Sequence, residues 1–410
     1  MLLIKLLNKL KKDWKMEINY SKIYFIGIGG IGMSSIALFF LNNNKLVGGY
    51  DKIKTDLTLR LSQSGAKIHY ESKKSNIPIE FLDKSSTLIV YTPAISKNDI
   101  ELNFFIENGY EIFKRSEILG LISQDKFCIA IAGTHGKTTT STILSHLLYE
   151  NNISFTSFVG GISENYNSNL IENGRDIILV EADEFDRSFL TLHPNIACIT
   201  SIDSDHLDVY NSKKELDESF KEFAKNLKKE GILLNSYDLP FKGISYGFNS
   251  KAQYSIENYR VQYDHVLFDI KYKNRICKNI RFNMPGKHNV CNALAAFAIC
   301  KKLKMNDVNL VKSFATFKGV KRRFSYVLKS PKILIDDYAH HPKEIQAIYD
   351  SVYSLYPKKK IMAVFQPHLF SRTRDFLTEF ASELSKFNEI VLLEIYPARE
   401  NPIFGINSNA

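Results

Sequence analysis

Apolar residues in this chain gather in short runs, and most runs are followed by a glycine-rich or polar turn and then a longer amphipathic stretch. The runs fall at 23–26, 87–91, 127–132, 176–180, 195–202, 332–335, 360–365 and 389–395. Short apolar runs bounded by turn residues predict buried strands. Helical patterns follow at 33–41, after the threonines 138–140, and at 289–303. A strand–helix rhythm of this kind predicts parallel sheets in an α/β protein. Residues 253–282 break the rhythm with aromatic-rich alternation, which predicts antiparallel strands. The pattern divides the chain into an extension at 1–21 and units at 22–125, 126–321 and 322–410. After its last strand the third unit has only a loop, 396–410, where a doubly wound unit needs a further helix and strand. It therefore reads as incomplete, with Val391 and Leu393 expected to be exposed.

A chain of 410 residues needs more than one core. Its 44% hydrophobic and 24% charged content is ordinary for a globular protein. The net charge is +10, but the lysines are dispersed, which reads as solvated surface rather than a nucleic-acid patch; phosphate-rich small ligands would also favour a positive field. The five cysteines form no C-x-x-C pair, which argues against a zinc site or a disulfide framework and fits a reducing cytoplasm. Cys128 and Cys198 lie in apolar runs and read as core. No apolar run approaches the ~18–20 residues of a membrane span. Residues 1–15 are basic and amphipathic without a small-residue cleavage site, so they read as an extension, with Met16 as an alternative start.

Two glycine-rich turns stand behind apolar runs. In the first, Gly27-Ile-Gly-Gly-Ile-Gly-Met-Ser34, glycines 27, 29 and 32 fit G-x-G-x-x-G, with Asp51 at the usual distance beyond. The second, Gly133-Thr-His-Gly-Lys-Thr-Thr139, opens a helix whose backbone N–H groups point at phosphate oxygens. Lys137 adds a positive charge there, and the Thr138 hydroxyl suits the shell of a magnesium ion. Ile131 stands where the usual phosphate-loop pattern has its first glycine. Alone, the first turn suggests a nicotinamide or flavin cofactor. Two anion-binding loops predict two phosphate-bearing ligands, a triphosphate at the second loop and a diphosphate at the first.

Polar groups then collect at strand ends, where ligands bind in parallel sheets. Val180-Glu-Ala-Asp-Glu-Phe-Asp-Arg187 places Glu181 first past its strand, best placed to reach magnesium. Asp203, Asp205, His206 and Asp208 follow the next strand, with His206 a candidate ligand for a second divalent ion. Asp336, Asp337, His340 and His341 follow 332–335, and Arg323 precedes it. Asp337 is suited to a ribose, Arg323 to a phosphate, and the two histidines to a carboxylate or a proton. Gln366-Pro-His-Leu-Phe-Ser-Arg372 and Tyr396-Pro-Ala-Arg-Glu400 complete a polar face.

In this order the motifs resemble those of the Mur ligases, over about residues 22–410. Gly-Lys-His-Asn-x-x-Asn-Ala at 286–293 belongs to the same series. The resemblance implies a Rossmann-like N-terminal domain for a UDP-sugar, a P-loop ATPase-like central domain, and a Rossmann-like C-terminal domain for an amino acid, the last apparently truncated. It implies that ATP phosphorylates the lactyl carboxylate of UDP-N-acetylmuramate and that L-alanine attacks the acyl phosphate, in peptidoglycan precursor synthesis. Gly29, Gly30, Gly32, Met33, Ser34 and Asp51 would serve the UDP-sugar. Gly133, Thr134, His135, Gly136, Lys137, Thr138 and Thr139 would hold the ATP phosphates, and Asn292, Arg323 and Asp337 the rest of the nucleotide. Thr138, Glu181 and His206 would surround Mg2+, and His341, His368 and Arg372 would lie near alanine and the acyl phosphate. A cytoplasmic monomer or dimer, binding neither nucleic acid nor membrane, is implied.

The chain departs from the family pattern in three places. Leu369 replaces the arginine of Gln-Pro-His-Arg and removes a cation. Ser201 stands where relatives often carry asparagine, a mild change. The C-terminus falls short of a full third domain. These departures leave open a second reading, a degenerate ligase that binds UDP-sugar or ATP without efficient joining. A nicotinamide oxidoreductase is disfavoured by the second loop and the acidic strand ends.

Overall fold

The computed structural model describes residues 20–203, 210, 212–398 and 400–408. The extension at 1–19, together with Asp205, His206, Asp208 and Arg399, lies outside the described residues. The chain separates into two compact units. One runs to Ser245 and adds Ala295–Asn306; the other holds Tyr246–Leu294 and the residues from Asp307 onward.

The first unit opens with alternating strands and helices: β1 (Lys22–Ile26), α1 (Ile31–Asn42), β2 (Leu46–Tyr50), α2 (Asp56–Gln63), β3 (Lys67–His69), β4 (Thr87–Tyr91), α3 (Ile100–Glu107), β5 (Glu111–Lys114) and α4 (Arg115–Gln124). The five strands form a parallel sheet in the order β3-β2-β1-β4-β5. β1 shows why a central parallel strand is apolar throughout. Ile23 and Phe25 enter one core cluster, and Tyr24 and Ile26 enter another on the opposite face. Because β1 pairs with β2 on one side and β4 on the other, the crevice at its carboxyl end is the switch point of the sheet.

The same unit continues through β6 (Phe127–Ala132), α5 (Lys137–Glu150), β7 (Phe155–Phe158), β8 (Leu170–Glu172), β9 (Ile177–Ala182), β10 (Ile196–Ile199), α6 (Lys213–Lys225) and β11 (Ile232–Ser236). These strands lie in the order β11-β10-β6-β9-β7-β8, all parallel except β7 with β8. β6 lies between β9 and β10, so the second glycine loop also leaves a switch point. Cys128, Ala130, Ala132, Ile178 and Val180 share one core cluster with Ile23, Phe25 and helix α1. Strand β10 ends at Ile199, earlier than the apolar run to residue 202 predicts. Thr200 and Ser201 turn their hydroxyls and backbone to the second glycine loop instead of extending the strand.

Within the second unit, β13 (Tyr254–Val261), β14 (Val266–Tyr272) and β15 (Arg275–Phe282) form the predicted antiparallel ribbon, preceded by β12 (Ile244–Gly247), which straddles the unit boundary. Helix α7 (Lys287–Lys302) crosses the boundary again. α8 (Asp307–Thr316) packs on β15, where Phe282 and Phe317 stack with centroids 5.8 Å apart. Then come β16 (Ser325–Leu328) and β17 (Leu334–Asp336), antiparallel, and α9 (Pro342–Leu355). β18 (Met362–Phe365), α10 (Phe370–Asp375), α11 (Leu377–Leu384) and β19 (Glu389–Leu392) follow, with β18 and β19 parallel. The core here is small: Ile345, Phe365, Phe380 and Leu384. Val391 and Leu393 are 42% and 43% exposed. No described helix is long and apolar enough to cross a membrane.

Candidate active site

The first glycine loop is braced from within. Gly27 adopts φ +86°, which favours glycine, and the N–H groups of Gly27 and Ile28 both donate to the Tyr50 carbonyl, at 2.8 and 3.0 Å. The Gly29 N–H donates to Asp51 Oδ2 at 2.7 Å, and Asp51 Oδ1 accepts from the Ile53 N–H at 3.1 Å. Asp51 thus shapes the loop. Met33 is buried in the core, and Ser34 accepts from Asn169 Nδ2 at 2.9 Å, so their side chains serve the fold. Gly30 is open: nothing comes closer than 3.7 Å to the place its Cβ would take. At Gly32 that place lies 2.8 Å from Nη1 of Arg115, a residue that sequence reading did not select.

The second loop is built on β6, β10 and the start of α5. Gly133 has φ +136°, and a Cβ there would meet Thr200 Oγ1 at 2.1 Å. Gly136 has φ +84° and precedes α5. The His135 N–H donates to Ser201 Oγ at 2.8 Å, the Thr134 N–H to the Ser201 carbonyl at 3.1 Å, and Thr200 Oγ1 to the His135 carbonyl at 2.5 Å. Ser201, read from sequence as a mild departure, is therefore a brace of the loop. His135 Nε2 lies 3.5 Å from Asp203 Oδ2. Thr139 is buried in the first turn of α5.

Four acids crowd the turn after β9, and the structure separates three of them. Glu181 accepts from Thr138 Oγ1 at 3.0 Å and from Ser141 Oγ at 2.9 Å, and also from the Gly160 N–H. Asp183 pairs with Arg115 at 3.2 Å. Glu184 is wholly buried, and Lys137 Nζ donates to both of its oxygens, at 2.9 and 2.7 Å, and to the Gly133 carbonyl at 2.6 Å. Burial alone would depress the Lys137 ammonium, but Glu184 first, then Asp183 and Glu181, hold it above its ordinary value. The loop therefore presents a fully charged lysine and a hydroxyl–carboxylate pair. Oxygen donors of that kind suit a hard cation such as Mg2+. Among the described residues no group of three or more His, Cys, Asp and Glu side chains is arranged to hold a metal.

In the second unit, Asp337 accepts from the Phe324 N–H at 2.7 Å and the Ala339 N–H at 2.8 Å. Burial pushes its carboxyl up to about 6, against the pull of Arg323 and those two donors. The Arg323 guanidinium lies 5.9 Å from the Tyr338 ring centroid and 4.0 Å from Glu344. His341 caps α9, accepting from the Lys343 N–H, and its buried ring packs edge-on against Phe376. His340 and His368 lie 5.9 Å apart by centroid, and Arg372 Nη1 is 3.5 Å from His368 Nδ1. His368 and Arg372 are thus brought together, while His341 is turned to a structural cap. Asn292 is buried on α7. Leu369 is buried too, with φ +73°.

Sequence reading missed Glu184 and Arg115. The acidic cluster flagged the turn around Glu184, but nothing local distinguished it from its neighbours. Arg115 carries no motif of its own.

Comparison with known proteins agrees with this geometry. Residues 22–127 match the model described as the Mur ligase family catalytic domain, 131–300 the Mur ligase middle domain, and 322–407 the Mur ligase glutamate ligase domain. The UDP-N-acetylmuramate–L-alanine ligase of Flavobacterium psychrophilum is 52% identical over 94% of this chain and 86% of its own length. That of Christiangramia forsetii is 49% identical over 96% of this chain and 87% of its own. The crystal structure of the UDP-N-acetylmuramate–alanine ligase of Thermotoga maritima superposes with a TM-score of 0.79 at 28% identity, covering 92% of this chain and 85% of that one.

Proposed function

The chain belongs to the Mur ligase family, and from that premise we infer that it is an ATP-dependent ligase joining L-alanine to the carboxylate of UDP-N-acetylmuramate in peptidoglycan synthesis. The observation that carries the reading is the charged Lys137, aimed across a strained glycine loop beside the Thr138–Glu181 pair. Phosphoryl transfer needs positioning and charge neutralisation above all. Lys137 neutralises the β- and γ-phosphates of ATP. The N–H groups at the head of α5 hold the same oxygens. Thr138 and Glu181 are the residues that would hold Mg2+; His206, the third residue the family resemblance implies, lies outside the described residues. When bound, the ion would draw charge from the transferred phosphoryl group.

The first loop takes the UDP-sugar, with its diphosphate over the open face at Gly30. ATP converts the sugar's carboxylate to an acyl phosphate, and the amine of L-alanine displaces phosphate to form the amide. We assign the alanine end to His368 and Arg372. The units at 22–125, 126–321 and 322–410 divide the work among UDP-sugar, ATP and amino acid. The reaction runs in the cytoplasm, where these substrates meet.

ADP release tests the reading. We expect sustained release only with UDP-N-acetylmuramate and L-alanine together. Release that ignores the UDP-sugar, or none with both substrates, would refute it, and tight binding without release would mark a degenerate ligase.

A further inference from the structure

Arg115 is the first residue of α4, and its guanidinium spans two loops. Over Gly32 it fills the volume a side chain would take: a Cβ there would lie 2.8 Å from Nη1 and 3.1 Å from Cδ. A Cβ at 32 would push the end of this side chain aside, so glycine lets the cation lie against the backbone. On its other side Nη2 donates to Asp183 Oδ2 at 3.2 Å. Asp183 stands between Glu181, which holds Thr138, and Glu184, which holds Lys137. One arginine thus joins the loop assigned to the UDP-sugar to the acidic turn of the ATP loop.

Structural glue does not explain the pair well. The side chains are 23% and 36% exposed, and a pair so open to water contributes little to stability. Asp183 also has a second duty, since its Oδ1 accepts from the Phe185 N–H at 3.2 Å. The position suits an anion better. Helix α1 starts at Ile31 with no acidic residue in its own first turn, so its positive end faces the loop, where Asp51 is engaged by the Gly29 N–H. Guanidinium is the side chain whose donors match two phosphate oxygens at once. A diphosphate carries more charge than Asp183 and presents more acceptor oxygens.

We propose that Arg115 binds the diphosphate of the UDP-sugar, and that Asp183 holds it in place until that substrate arrives and takes it over. The proposal rests on the UDP-sugar reading of the first loop. Its energetic content is a competition: Asp183 and the diphosphate share one cation, so removing Asp183 releases Arg115 for the substrate.

Calorimetry on the full chain tests this, with UDP-N-acetylmuramate as the probe and ADP binding as the check on folding. Arg115→Ala should weaken UDP-sugar binding by about ten- to a hundredfold, the loss expected for a charge-assisted contact, with ADP binding retained. Asp183→Asn should tighten UDP-sugar binding by about two- to fivefold, the scale of one half-exposed ion pair. In the Arg115→Ala background the Asp183→Asn gain should vanish. Arg115→Lys keeps the charge and the partner but loses the paired donors; it should bind between wild type and alanine, and it carries the test if the alanine variant unfolds. Unchanged UDP-sugar affinity in the Arg115 variants would overturn the proposal. So would an Asp183→Asn effect that persists without Arg115. Wild type that binds ADP but no UDP-sugar would instead overturn the functional reading, and this proposal with it.

Discussion

Removing Lys137 should do more than stop the chemistry. From sequence alone Lys137→Ala is expected to abolish turnover and leave the fold intact. The structure changes that expectation, because Lys137 is the counter-ion of Glu184. That carboxylate is fully buried, the lysine side chain is 16% exposed, and the contacts are 2.9 and 2.7 Å. Breaking a buried pair by deleting one partner leaves an uncompensated charge and costs about 3–5 kcal/mol. The Gly133 carbonyl loses a donor as well, worth about 1 kcal/mol. A domain of ordinary stability has about 5–15 kcal/mol to lose, so the variant should be marginal.

The double variant Lys137→Ala with Glu184→Gln separates the two roles. The amide carries no charge to strand, so stability should return to within about 1–2 kcal/mol of wild type. Turnover should not return. The cation that meets developing phosphate charge is still missing, at about 3–4 kcal/mol of barrier, or roughly 10²–10³-fold in rate. Urea unfolding and ADP release on wild type, both single variants and the double variant give the answer. If Lys137→Ala unfolds at the wild-type midpoint, the pairing argument is wrong. If it turns over within tenfold of wild type, the phosphate role is wrong.

Other consequences follow from particular contacts. Burial raises the Glu101 carboxyl from 4.5 to about 7, where it accepts from Tyr24 Oη at 2.7 Å and the Lys73 N–H at 3.0 Å. Its protonated form is favoured in the fold, so its contribution is full below pH 4.5 and is lost as pH rises toward 7. Glu101→Gln should therefore flatten the pH dependence of urea midpoints across that window and gain about 2–3 kcal/mol at pH 8; a parallel pH profile in the two proteins would count against this. Gly133→Ala places a Cβ 2.1 Å from Thr200 Oγ1 at φ +136°, and should weaken ADP binding at least about tenfold while sparing the UDP-sugar, as measured by calorimetry. Val364 and Val391 are cross-strand neighbours, 63% and 42% exposed. Changing both to lysine should reduce concentration-dependent light scattering without loss of ADP binding; unchanged scattering would show that this patch does not drive association.

What the sequence disclosed and what it withheld divide along a physical line. β1, β4 and β6 were legible because a parallel strand buried on both faces writes a continuous apolar run. The two glycine loops were legible because left-handed backbone at Gly27, Gly133 and Gly136 leaves few alternatives to glycine. β16 was missed: it is a short edge strand, half-exposed, and carries no such run. β10 was read too long because Thr200 and Ile202 favour strands, yet the hydroxyls of Thr200 and Ser201 are taken by the neighbouring loop. The acidic turn shows the limit most clearly. Four carboxylates in six positions advertise a site, but sequence ranks none above the others except by order. In the fold, the chain leaving β9 points successive side chains in different directions. Glu181 turns to the hydroxyls of α5, Asp183 to Arg115, and Glu184 into the core against Lys137. Each assignment depends on a side-chain partner 40 to 68 residues away. Local pattern reports which face of an element is buried. It does not report which carboxylate meets which partner, and that pairing decides which acid takes the hydroxyls of α5, which takes Arg115, and which takes the lysine of the loop.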